Sequence, residues 1–258
     1  MKARFFASFR VAGVHLLCGI LLMALFALWI FLVWFPYPYY KISNGAILFL
    51  ILMAVDVVTG PVLTFVLYSP EKSRFKWGVD IALIASIQLS ALVYGVGSIA
   101  SSRPIYLAFE GNRFRVVTVA DVPKDQLGAA PQEYSRIGIG GPQLLGVKLI
   151  NPGDEGFIES MVQALNGNHP AFRPERWVSY ASQKNDVRKA LRPLSDLPSE
   201  SDIAGRLERI KKTTGLDESE LGFLPLVQDA KTDWVVVVGR KDALPVAYWN
   251  VDGWGGRR

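Results

Sequence analysis

Hydrophobic positions crowd the front of the chain in three runs, roughly residues 11–35, 44–68 and 79–100, with few charges inside them. Each reaches the ~20 residues that a helix needs to cross a bilayer, so the pattern predicts three membrane-spanning helices. After Arg103 and Pro104 the pattern becomes alternating. Ile105, Leu107 and Phe109, then Phe114, Val116 and Val119, flank the turn EGNR and predict a β-hairpin with Gly111 and Asn112 at its tip. Residues 123–152 are rich in Gly and Pro and read as a loop. Phe157, Ile158, Met161, Val162 and Leu165 then recur at helical spacing up to Gly167. A second short helix is expected from Ser199, where Ser199 and Asp202 resemble a capping box ahead of Ile203, Leu207 and Ile210, with Gly215 as the stop. The end of the chain returns to two or three antiparallel strands, with Val235 to Val238 dense enough for a central position. The expected architecture is a three-helix transmembrane anchor, residues 1–100, followed by an α+β domain, residues 101–258.

Polar residues inside the spans fall in a pattern of their own. Asp56 lies near the centre of the second run, where a charged side chain costs at least ~2.5–3.5 kcal/mol, so it is expected to be protonated or paired. Asp56, Thr59, Gly60, Leu63 and Thr64 share one helix face, a stripe of small and polar residues that suits protein rather than lipid. Pro61 has no amide hydrogen and is expected to kink the helix, freeing the carbonyl of Val57. The third run repeats the arrangement with Asp80, Ile84, Gln88, Ala91 and Gly95. Depth matching pairs Asp56 with Gln88 and His15 with Asp80 as two polar layers. Such residues either join helices, at ~0.6–2 kcal/mol per interhelical hydrogen bond, or form a proton or ion path. Three spans with one central carboxylate make a poor conduit unless several copies assemble.

Composition and charge sharpen this picture. Of 258 residues half are hydrophobic, and the mean hydropathy is +0.24, more apolar than an ordinary soluble domain. Lys2, Arg4 and Arg10 precede the first run as in a secretory signal, but the run is too long and ends in WFPYPYY without a small-residue cleavage site, so it is expected to stay attached. Basic residues before span one and after span two place the amino terminus in the cytoplasm and the α+β domain in the periplasm. The net charge of +5 divides into +4 up to residue 100 and +1 beyond it, which argues against a nucleic-acid partner for the outer domain. Cys18 is the single cysteine, so no intramolecular disulfide is possible, and with only His15 and His169 a zinc site has too few ligands. GIGGPQ, residues 138–143, lacks the Lys-Ser/Thr ending and the helix of a phosphate loop. No nucleophile set can be assembled around His169, which is expected on the surface. The chain therefore reads as a binding protein without cofactor, metal or catalytic residues.

WFPYPYY, DVVTGPVLTFVLYSPEK, VDIALIASIQLSALVYG, RPIYLAFEGNRFRVV and the terminal LPLV and PVAYWNVDGW resemble the TfpX/TfpZ family of type IV pilin accessory proteins. The resemblance covers the spans and both ends of the outer domain and fades between residues 129 and 201. It implies a bacterial inner-membrane protein that serves a major type IV pilin, with other pilus assembly proteins as further partners, as a pilin-specific chaperone or assembly modulator. The matching positions are Asp56, Gly60, Pro61, Thr64, Lys72, Asp80, Gln88, Gly95, Arg103 and Pro104. Partner choice is expected to reside in residues 129–201, with Trp177 and Tyr180 as anchors. A membrane-anchored periplasmic sensor and a subunit of a transport complex are the alternatives. The inner loop at residues 70–78 leaves the sensor no signalling domain, and the transport subunit needs other chains.

Overall fold

The computed structural model describes residues 2–43, 45–198, 202–228 and 231–255, in two compact units, Met1–Arg103 and Pro104–Arg258. The first contains three helices long and apolar enough to cross a membrane, Arg4–Trp34, Gly45–Leu67 and Arg74–Ser101. Two of them are interrupted. α1, Lys2–Trp29, passes into a π-helical turn at Ile30–Trp34, and α3, Gly45–Ala54, is joined to α4, Gly60–Leu67, by a second π turn at Val55–Thr59; the short α2, Tyr39–Ile42, lies between spans.

Both π turns run into a proline, Pro36 and Pro61, and the cause is local. A π turn bonds each carbonyl to the amide five residues on, as Ile30 does to Phe35 at 2.8 Å. Widening the turn lets the helix reach the proline without the ring clash that an α-helical carbonyl would meet. The irregularity expected at Pro61 is therefore a bulge ahead of it. α5, Arg74–Ser101, starts earlier than the expected residue 79, because Ser73 caps it by accepting from the Lys76 amide and carries Arg74 and Lys76 into its first turns. Met23, Ile30, Phe35, Phe49, Leu52 and Ile99 pack these helices together at one end.

The second unit is built on one seven-stranded mixed sheet of order β4-β3-β1-β2-β5-β6-β7. β1, Pro104–Phe109, and β2, Phe114–Thr118, form the expected hairpin, with Gly111 at φ +74° in its turn. β5, Leu221–Gln228, β6, Lys231–Gly239, and β7, Pro245–Asn250, form an antiparallel meander. β2 joins the two through a parallel pairing, Phe114 opposite Leu226 and Arg115 opposite Val227. Every residue of β1 and β2 is buried, so the half-buried alternation expected there is overridden: both faces of this central region are covered.

Two strands come from the segment expected to be loop or polar connection. β3, Gln143–Val147, pairs parallel with β1, and β4, Trp177–Val178, pairs with β3. Beyond β4 the Gln183 side chain extends the edge, its amide donating to the Val147 carbonyl at 2.9 Å and its oxygen accepting from the Val147 amide at 3.0 Å. α6, Phe157–Leu165, and the short α7, Lys184–Ala190, lie in the same stretch. α8, Ile203–Thr214, packs Ile203, Leu207 and Ile210 on the meander beside Val235, Val237 and Trp249. Asp202 caps it by accepting from the Gly205 amide at 3.1 Å, and Gly215 at φ +76° closes it. The other half of the expected capping pair, Ser199, lies outside the described residues.

Candidate functional site

The polar residues of the spans meet between the helices. The next carbonyl in the π series at Val55–Thr59 is that of Asp56, and it would seek the amide of residue 61, which is proline. Gln88 on α5 supplies the missing donor: its Nε2 lies 3.1 Å from the Asp56 backbone oxygen. Gly60 makes room for this, since a Cβ there would collide with the Gln88 amide. Asp56 and Gln88 thus meet, but through the main chain and not the carboxylate. With a five-residue bonding step at Val55–Thr59, the missing Pro61 amide also frees the Asp56 carbonyl, one residue before the Val57 carbonyl that a four-residue step points to. Asp56 itself is buried, and its Oδ1 has no hydrogen-bond partner among the described residues. Gly95 plays a packing role comparable to that of Gly60, because a Cβ there would lie 2.5 Å from Leu52 Cδ1 on α3.

The layer expected from His15 and Asp80 is not formed. His15 Nδ1 shares a 2.7 Å hydrogen bond with the Thr64 hydroxyl, and Asp80 accepts instead from Lys72. Lys72 also donates to the Leu67 carbonyl at 2.8 Å, tying off the end of α4. The turn places this ammonium over the first part of α5, where it reaches the Asp80 carboxylate directly, while His15 on α1 is engaged with Thr64. In the sequence Lys72 counts as one of the basic residues after the second run and as a family-matching position, and its eight-residue spacing to Asp80 across a tight turn is the signal for the pairing. His15, Thr64, Asp80 and Gln88 nonetheless border one cleft of about 330 Å³, walled by Val11 and Val14 of α1 and Ile81 and Ile84 of α5. A mostly apolar cleft with a few hydrogen-bonding groups suits a helix better than a reactive small molecule. Among the described residues no cluster of three or more His, Cys, Asp or Glu could hold a metal ion.

Trp177 and Tyr180 are not surface anchors. Trp177 is 1% exposed, donates from Nε1 to the Ala171 carbonyl at 2.9 Å, and packs edge-on against Tyr106 at 5.0 Å between centroids. Tyr180 is buried and donates its hydroxyl to the Ala243 carbonyl; burial first, and Asp242 second, hold its phenol above the ordinary range. These rings sit in the core because residues 170–183 form β4 and the sheet edge. His169 is half-buried against Phe172 rather than fully on the surface. Sequence reasoning also missed a buried ion pair, Arg115 Nε to Glu110 Oε2 at 2.9 Å, whose second carboxylate oxygen accepts from the Ala171 amide at 3.3 Å.

Comparison with known proteins gives this arrangement a family. The model described as "Fimbrial assembly protein FimB" matches residues 3–44, the first span and the loop after it. The fimbrial assembly protein of Dichelobacter nodosus serogroup I is 34% identical over 245 residues, 93% of this chain and 93% of its own length. The chain belongs to the fimbrial assembly protein family. The serogroup E1 protein of the same organism is 33% identical over the same share of both chains. No solved structure matches. The full-length likeness to these fimbrial assembly proteins extends through both units, including the stretch between residues 129 and 201 where the sequence motifs fade.

Proposed function

We propose that this member of the fimbrial assembly protein family is a pilin accessory protein of the TfpX/TfpZ type, an inner-membrane chaperone or assembly modulator for a type IV pilin that works by binding and uses no cofactor. The observation that carries this reading is the full-length similarity to proteins named for fimbrial assembly. The helices supply a physical means. A pilin waiting in the membrane is held there by one apolar helix, and the cleft between α1 and α5 offers such a helix apolar walls and the hydrogen-bonding groups of His15, Thr64 and Gln88. Asp56, buried and with its Oδ1 unpartnered among the described residues, adds a group that a neighbouring helix would satisfy.

Photo-crosslinking in living cells tests this. A benzoylphenylalanine at Val14 or Ile81, both on the cleft, should give an adduct containing the pilin subunit, whereas one at Val93, 72% exposed and away from the cleft, should not. Equal pilin adducts from all three positions, or adducts with other membrane proteins alone, would defeat the proposal.

The same reading puts the amino terminus in the cytoplasm and the sheet unit in the periplasm, because Lys72, in the turn after the second apolar helix, and Arg74 and Lys76, in the first turn of α5, gather at one end of the helices. An alkaline phosphatase fused after Arg258 is expected to be active. An inactive phosphatase with an active cytoplasmic reporter at that point would reverse the orientation.

A further inference from the structure

α6 leaves its apolar side uncovered. Ile158 and Leu165 are 70% and 80% exposed, none of the helix's residues is buried, and the periodicity that would normally bury such a face is left facing out. The helix is held from behind by Arg173, whose guanidinium donates to the Ser160 carbonyl at 3.0 Å and to the Asn168 carbonyl at 3.1 Å. Between α6 and the β1–β2 turn runs a groove of about 760 Å³, with Phe157, Met161 and Leu165 on one wall and Arg113 and Arg115 on the other.

The charges of this groove do not balance. Arg115 is answered by Glu110, whose two oxygens are both engaged. His169, also on the groove, is held below the ordinary imidazole range by burial and by Arg115, so it is uncharged at neutral pH. Arg113 makes a hydrogen bond from Nε to Asn112 Oδ1 at 3.0 Å and lays its guanidinium over the Trp254 ring at 4.9 Å. Among the described residues no carboxylate lies within ion-pair distance of it. A fixed, partly desolvated guanidinium thus stands opposite an exposed apolar wall across a groove of about 760 Å³.

We propose that this groove binds a peptide segment of a partner protein that presents a carboxylate beside apolar side chains, the carboxylate on Arg113 and the apolar groups on the α6 wall. The inference does not depend on the partner being a pilin. A lipid surface fits less well, since helices that lie on membranes carry Lys or Arg on their polar side, whereas α6 carries Glu159 and no basic residue. Pairing α6 with a second copy would also cover the apolar face, with Glu159 as the carboxylate it brings, and the oligomeric state of the chain separates that occupant from a peptide.

The test uses the full chain in nanodiscs and two fluorescein-labelled peptides, Gly-Ser-Leu-Asp-Phe-Leu-Gly-Ser and its Asp-to-Asn counterpart, followed by fluorescence anisotropy. The acidic peptide should bind saturably and about tenfold more tightly than the amide, as expected for one charge-assisted hydrogen-bonded contact. Leu165→Glu, at a site too exposed to affect folding, should weaken binding by about tenfold, as should Arg113→Gln. Because Arg113 also packs on Trp254, salt provides a readout without mutation: raising NaCl from about 50 to about 500 mM should weaken the acidic peptide and leave the amide unchanged. Equal affinity of the two peptides, absence of saturable binding, or indifference to Leu165→Glu would each overturn the proposal. So would a Leu165→Glu variant that splits a dimer, or leaves phosphatidylglycerol vesicles, while still binding peptide normally; these results would give the face to a second copy or to lipid.

Discussion

Trp177→Ala should lower the melting temperature of the sheet unit by about 6–20 °C. Truncating a large buried aromatic costs about 3–5 kcal/mol, because the transfer free energy is lost and the cavity closes only in part. In a unit of about 150 residues each kcal/mol moves the midpoint by about 2–4 °C. Trp177 has both liabilities: it is 1% exposed, and its removal leaves the Ala171 carbonyl without its donor and takes from Tyr106 one of its two ring partners, Tyr134 being the other. Near-UV circular dichroism of the chain in detergent, recorded through a thermal ramp, reads the effect directly. A surface anchor would behave oppositely, with a change of less than ~0.5 kcal/mol in stability and a loss confined to partner recovery. That outcome would return Trp177 to the role that its polar neighbours suggested.

The difference between those two roles shows where periodicity and composition stop being informative. Apolar runs at residues 11–35 and 44–68 announce themselves because lipid demands ~20 residues of one character. The hairpin around Gly111 is equally legible, since a left-handed turn between β-rich segments has few other uses. A hydropathy window cannot register a shift in hydrogen bonding, however, so the π turns at Ile30–Trp34 and Val55–Thr59 passed unseen although Pro36 and Pro61 marked both. β3 was hidden for a different reason: QLLGV is short, follows Gly and Pro, and becomes a strand only because β1 offers it an edge. For α6 and Trp177 the residue type was read correctly and its surroundings were not. The spacing of Phe157, Ile158, Met161, Val162 and Leu165 defines an apolar face but says nothing of what covers it, and the structure leaves it open. Trp177 lies in a polar stretch, yet the sheet edge draws it inside.

Asp56→Leu should abolish most partner recovery, and Asp56→Asn should preserve it. The backbone carbonyl of Asp56 is satisfied without the carboxyl group, since Gln88 donates to it and Gly60 admits the Gln88 amide. What remains is a buried carboxyl oxygen with no partner among the described residues, in a segment where polar groups without partners are costly. Leucine would relieve that cost and leave the chain at least as abundant in the membrane, so a fall in function could not be laid to folding. One interhelical hydrogen bond in lipid is worth about 0.6–2 kcal/mol, which corresponds to about 3- to 30-fold less pilin co-purified with the leucine variant. Asparagine retains an acceptor and adds a donor, so it should stay within about threefold of the parent chain if hydrogen bonding is the whole contribution. Should asparagine instead be as damaging as leucine at normal protein levels, the exchangeable proton of the carboxyl group would be the active feature, and a proton path would displace helix recognition as the purpose of the residue.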